Sequence, residues 1–150
     1  MSDLKPFDER LAALIAALSP AGRRSLSVEI ARTLRQSQQK RIKAQRAPDG
    51  TAYEERQPQQ SIRGKKGRVK REMFAKLRTN RYMKASGNDN EAVVEFTGKV
   101  QRIARVHQYG QRDRPSRNGR AVLYPVRQLL GISEADRQLV ESAIIHHLAE

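Results

Sequence analysis

His107, His146 and His147 are the chain's three histidines, and cysteine is absent. Thiolate chemistry, disulfides and thiolate metal sites therefore have no raw material. His146 and His147 are adjacent, with no His-Glu-x-x-His frame around them, so a zinc site is not expected. His147 lies near an apolar helical stripe and reads as a partly buried helix-end residue. His107 opens the run His107-Gln108-Tyr109-Gly110, beside an Arg-rich loop. It is read as a ring that bonds a backbone carbonyl and fixes a turn, in preference to a proton-transfer group. Asp8 and Glu9 are neighbours on a helix and point to different sides, so they cannot share a substrate. No serine stands in a Gly-x-Ser-x-Gly elbow. Gly64-Lys65-Lys66-Gly67-Arg68 imitates a phosphate loop, but it lacks the Gly-Lys-Ser/Thr at the required spacing and no apolar strand precedes it. The expectation is a non-enzyme with no catalytic residues, no cofactor and no metal.

The elements that would position these residues follow from periodicity. Phe7, Leu11, Leu14, Ile15 and Leu18 predict a helix over 7–18, with Pro6 at its first turn. Ser19-Pro20 offers a cap and a first-turn proline for a long helix to about Arg46, with Leu26, Ile30, Leu34 and Ile42 on its stripe. Its last third, around Gln38-Gln39-Lys40-Arg41, is nearly all polar and is expected to project or to meet another subunit. Pro48-Asp49-Gly50 ends it in a turn. Residues 51–68 carry little to bury and read as a flexible basic arm. Lys70 to Thr79 has helical spacing again. Residues 82–85 and 91–97 predict a hairpin across Ser86–Asn90. Val100, Ile103, Ala104 and His107 predict a short helix, 110–120 a loop, and 121–126 a third strand. Gly131 breaks the chain before a helix capped by Ser133, with Asp136 in an imperfect capping box. Gly110 and Gly131, with His107, are the candidate structural residues. The whole reads as one α+β domain spanning 1–150. Its small antiparallel sheet packs with N-terminal helices, one of them long, and a C-terminal helix.

Charge is the strongest compositional signal. Thirty Lys and Arg against sixteen Asp and Glu give a net +14, while residues 121–150 hold two basic and four acidic side chains. The excess is densest in Arg63, Lys65, Lys66, Arg68, Lys70, Arg71, Lys76, Arg78 and Arg81, a cluster interrupted by one acid, Glu72. Such density points to a polyanionic partner, either nucleic acid or an acidic protein face. No strong apolar face lies opposite the cluster, so a membrane partner is not expected. There is no apolar run of membrane-spanning length and no signal-peptide pattern, which predicts a protein made and used in a cytoplasm. Hydrophobic residues make up 37% of the chain, with three Phe, four Tyr and no Trp. The core should be modest, with parts that gain order against neighbours.

Leu4–Leu18 (LKPFDERLAALIAAL), Arg46–Tyr53 (RAPDGTAY) and Lys70–Thr79 (KREMFAKLRT) resemble, in order, segments of the phage virion morphogenesis family. So do Ala92–Arg105 (AVVEFTGKVQRIAR), His107–Gly110 (HQYG) and Leu129–Ser133 (LLGIS). The family contains the tail completion proteins of temperate, contractile-tailed phages. The resemblance implies a structural protein at the head-proximal end of the tail, in the neck, that allows head–tail joining. It also implies tail and neck proteins as partners, and a homo-oligomeric ring in the virion with a hexamer favoured. The expected locations are the virion tail and, during assembly, the host cytoplasm. The family pattern contains no catalytic residue or cofactor. A neck channel holds DNA, so nonspecific contact between the basic cluster and packaged DNA fits this role. Head-to-tail ring contacts would let a basic face meet an acidic one, and the final helix, with Glu134, Asp136, Glu141 and Glu150, is the candidate second face. The alternative is a sequence-nonspecific DNA- or RNA-binding protein. Against it stand the lack of a recognition-helix motif, of an aromatic stacking set and of a zinc knuckle.

Overall fold

The computed structural model describes residues 5–56, 72–115 and 117–149. Four helices and two small antiparallel sheets make it α+β, in the order α1 (Lys5–Ala16), α2 (Pro20–Lys43), β1 (Met83–Gly87), β2 (Ala92–Phe96), α3 (Gln101–Tyr109), β3 (Arg112–Asp113), β4 (Val122–Leu123) and α4 (Glu134–Leu148). These elements distribute over two compact units whose segments alternate along the chain.

The first unit combines residues 1–37, 84–95 and 134–150. Its core is Leu11 of α1, Leu26 of α2 and Ile144 of α4, with Ile15, Leu18, Ile30, Val140 and Leu148 packed around them. The i, i+4 pair Leu11 and Ile15 turns one face of α1 inward, whereas Leu14, expected on that face, is 46% exposed. Ser19 caps α2 as its sequence suggested, its hydroxyl accepting the Gly22 N–H at 3.1 Å. Arg23 donates to the carbonyls of Leu18 at 2.6 Å and Asp89 at 3.1 Å, which ties the β1–β2 turn to the start of α2. Gly87 is required where β1 meets α2, because a Cβ there would lie 2.6 Å from the backbone of Ser27 and Val28.

The acidic surface expected on α4 is reduced: Glu134 is exposed, Glu150 lies outside the described residues, and the other two carboxylates are engaged. Asp136 is fully buried and accepts a hydrogen bond from the Ser37 hydroxyl. Glu141 is held by Arg137, which also forks onto Asp8 at 3.0 and 2.9 Å. Asp136 and Glu141 thus serve the interior and the seam between α1 and α4.

The second unit combines residues 38–83 and 96–133. Its buried apolar residues include Ile42, Tyr53, Leu77, Met83, Phe96, Ala104, Val106 and Leu129. The last third of α2 does not project: Gln38 and Ile42 are both buried. Gln38 is tolerated there because its Oε1 accepts from the Gly131 N–H and from the Arg41 guanidinium, while Arg41 donates to the Leu129 carbonyl at 2.8 Å. Polar side chains therefore supply the partners that residues 128–131 would otherwise find in a sheet. Gln108 accepts the N–H groups of Leu129 and Leu130 and returns a bond to the Leu130 carbonyl, and the Tyr53 hydroxyl donates to Gln128 at 2.7 Å. The strand expected over 121–126 is confined to Val122–Leu123, and beyond it the Tyr124 and Arg127 N–H groups bond to the Gln111 and His107 carbonyls. The short strand pairs with Arg112–Asp113, a strand inside the expected 110–120 loop.

The helix expected over 70–79 is replaced by consecutive turns across its described part. Phe74 has φ +68°, a conformation rarely adopted by a bulky L-residue and incompatible with helix propagation. The apolar spacing of Met73, Phe74 and Leu77 imitates a helix, but the residues are used to fold the chain back on itself.

Candidate functional site: an arginine recessed in an aromatic cavity

A cavity of about 480 Å³ opens in the second unit, with Phe74, His107, Tyr124 and Arg127 among its walls. Three local structures build it. The αL turn at Phe74 places that residue in the cavity wall. The C-terminus of α3 presents His107, held by Gly110 at φ +66°, and the N–H groups of Gly110 and Gln111 both return to the Val106 carbonyl. A Cβ at Gly110 would come within 2.7 Å of the Val126 side chain, so glycine serves both conformation and close approach. The extended stretch after β4 then passes alongside, its Arg127 N–H bonded to the His107 carbonyl at 2.7 Å. Gly131 is held as closely, since a Cβ there would meet Pro48 and Gln128 at 2.6 Å.

Tyr53, Phe74, His107 and Tyr124 form a continuous edge-to-face series, with centroid separations of 5.7, 4.8 and 5.0 Å. Arg127 is 4% exposed. Its Nε donates to the Glu54 carbonyl at 2.7 Å, and its Nη1 lies 3.4 Å from His107 Nδ1. A guanidinium can only donate, so Nδ1 accepts and the neutral imidazole carries its proton on Nε2. Burial, then the Arg127 charge, push the His107 pKa down to about 4, against a small opposing pull from Asp113. Burial also lowers the Arg127 pKa, an effect the Glu54 carboxylate partly offsets. The turn-fixing role expected of His107 thus falls to its backbone carbonyl, while its ring accepts from an arginine. No carboxylate among the described residues lies within 4 Å of the Arg127 guanidinium, and Nη2 makes no hydrogen bond to them.

Of the basic cluster, Lys76, Arg78 and Arg81 are described. Lys76 is exposed at the cavity wall, Arg78 pairs with Glu72 at 3.2 Å, and Arg81 covers the Tyr82 ring at 5.5 Å. Arg63, Lys65, Lys66, Arg68, Lys70 and Arg71, and the arm expected over 51–68 beyond Arg56, lie outside the described residues. Arg56 and Glu72, which flank that interval in sequence, both line the cavity. His147 sits 3.6 Å from the Glu29 carboxylate, as a partly buried helix-end residue. Among the described residues no group of His, Asp and Glu could hold a metal ion, and no helix is long and apolar enough to cross a membrane. Sequence reasoning singled out His107 but missed Arg127, Phe74, Tyr124 and Tyr53, which are scattered over the chain and share no motif. The sole sequence signal was His107 beside a helix-ending glycine.

The model of the phage virion morphogenesis family matches residues 2–149. The chain belongs to this family. Over 149 residues it is 50% identical to the tail completion protein S of Escherichia phage P2, covering 99% of each chain. No solved structure matches. As a virion morphogenesis protein the chain is a structural phage component, and the cavity is a feature of such a component.

Proposed function

We propose that this protein completes the head-proximal end of a phage tail, in the neck, so that the tail can join a filled head. The observation that carries the reading is half-identity to a protein named for tail completion, sustained over nearly the whole of both chains. The role is structural and non-enzymatic. In keeping with this, His107 is held neutral against an arginine and between rings, an arrangement suited to rigidity more than to proton transfer. In the virion the protein acts as a homo-oligomeric ring, a hexamer being favoured, in contact with other tail and neck proteins. The net charge of +14 suits a channel through which DNA passes, with sequence-independent phosphate contacts from the cluster Arg63 to Arg81. Assembly takes place in the host cytoplasm.

Electron microscopy of tails tests the position. Tails made without this protein should accumulate unattached to heads, and the purified protein added back should restore joining. A reconstruction of completed tails should place a closed ring of it at the head-proximal end. Joining without the protein, or a location elsewhere in the particle, would overturn the assignment.

A further inference from the structure

We propose that the cavity around Arg127 receives a carboxylate side chain from an acidic segment of a partner protein in the virion. Arg127 is deeply buried, yet no carboxylate of the described residues lies within 4 Å of it, Glu54 acting on its charge only from further off, and its Nη2 is left without a hydrogen bond to them. A buried guanidinium is costly to keep uncompensated, so a site that retains one at the wall of an open cavity is poised for an anion. The guanidinium is anchored through Nε and Nη1 on opposite flanks, which fixes the plane in which Nη2 offers its protons. Phe74 and Tyr124 supply apolar surface for the aliphatic part of an entering side chain. Lys76 adds positive charge at the wall, where the one acid, Glu72, is already paired with Arg78, and this attracts an acidic segment before contact.

Two features favour a peptide carboxylate over a DNA phosphate. The guanidinium is recessed, so a narrow side chain reaches it more readily than a duplex backbone does. The rings pack edge to face against one another, which occupies faces that bases would need for stacking. The chain's own interval 57–71 contains no acid, so it does not supply the counter-charge. The inference rests on the proposed joining role only in taking the partner to be a virion protein.

The test is a fluorescence-anisotropy titration of the full-length protein at about 0.15 M salt, near physiological ionic strength. The probes are a labelled peptide alternating Leu and Glu, the same peptide with Gln for Glu, and unlabelled DNA duplex of random sequence as competitor. The Glu peptide should bind at least about tenfold more tightly than the Gln peptide, a margin of about 1.4 kcal/mol. Arg127→Lys, which keeps charge but loses the fork, should weaken it by about tenfold. So should Ala75→Trp, which fills the cavity wall and leaves Arg127 untouched, so that a folding defect at position 127 cannot decide the matter. Arg112→Gln, on the exposed β3 strand, should leave affinity within about twofold, as expected of a rim or remote charge. Failure of the Glu peptide to bind, equal affinity for the Gln peptide, or indifference to Ala75→Trp would each overturn the site. Displacement by the duplex, with the same sensitivity to both cavity variants, would overturn it in favour of phosphate. The titration needs no particles, so its failure leaves the tail role standing, and misplacement in tails leaves the titration standing.

Discussion

His107 and Arg127 form a mutually dependent pair in which one supplies the lone pair and the other the charge. His107→Asn keeps an acceptor for Arg127 Nη1 and should cost less than about 1 kcal/mol. His107→Leu removes that acceptor and should cost about 1–3 kcal/mol, the usual penalty for stranding a buried polar group. Thermal melts on both variants check this. The pair also makes stability depend on pH. The folded His107 pKa is about 4, from an ordinary value of 6.5, so between these values the unfolded chain binds a proton that the folded chain refuses. Stability is therefore complete above about pH 6.5, falls as pH is lowered towards 4, and changes no further below that through this group. Melting temperature measured from pH 7 to pH 4 should fall more steeply in the wild type than in His107→Asn. Parallel curves would remove His107 as the source.

At the level of elements, the legible parts were those whose geometry lies in local repetition. Helices α1, α2, α3 and α4 and the β1–β2 hairpin were readable from apolar spacing, the Ser19 cap and the turn residues after Gly87, because each signal falls within a few residues of what it specifies. The segments at 72–79 and 124–131 were not. Their conformations depend on Phe74 taking φ +68° and on Gln38, Arg41, Tyr53 and Gln108 reaching the backbone from distant positions. Periodicity carries no trace of either. The cavity was illegible for the same reason, since its walls come from four separate stretches. The C-terminus of α3 gives a clean test of local geometry. Gly110→Ala meets both a left-handed backbone and the Val126 side chain at 2.7 Å, and should destabilise the protein by about 1–3 kcal/mol. Gly50→Ala meets φ +89° with nothing within 4 Å and should cost less. Denaturant midpoints for the two variants compare them directly.

For the molecule as a whole, the net charge of +14 governs encounter. The free protein should bind any DNA at low salt and release it as salt rises, the logarithm of affinity falling by about 0.9 per phosphate neutralised for each tenfold rise in salt. A recognition protein would instead retain a preference of about a thousandfold for its own site at physiological salt. Charge reversal at Lys65, Lys66 and Lys70 should flatten the salt dependence and yield tails that fail to join heads. Reversed protein that still completes infectious particles would separate this cluster from the joining role. The first unit, built around Leu11, Leu26 and Ile144, should hold its fold in the reversed variant, which circular dichroism checks.

The alternation of the two units along the chain has a consequence in time. Leu11 and Leu26 leave the ribosome early, but the residue that closes over them, Ile144, belongs to α4, and the Asp8–Arg137 fork spans 129 residues. The first unit therefore cannot seal until α4 has emerged, and its early apolar residues wait uncovered while residues 38–133 are made. Long-range closure of this kind is slow and leaves nascent chains prone to aggregation or to capture by chaperones. A stop codon placed after Ser133 should give a product in which the amides of α1 exchange freely and which collects in the insoluble fraction. Supplying the missing helix as a separate peptide during refolding should recover part of it. A prematurely ended copy lacks the last piece of its first-made core, and should therefore be lost to the insoluble fraction in place of entering a particle.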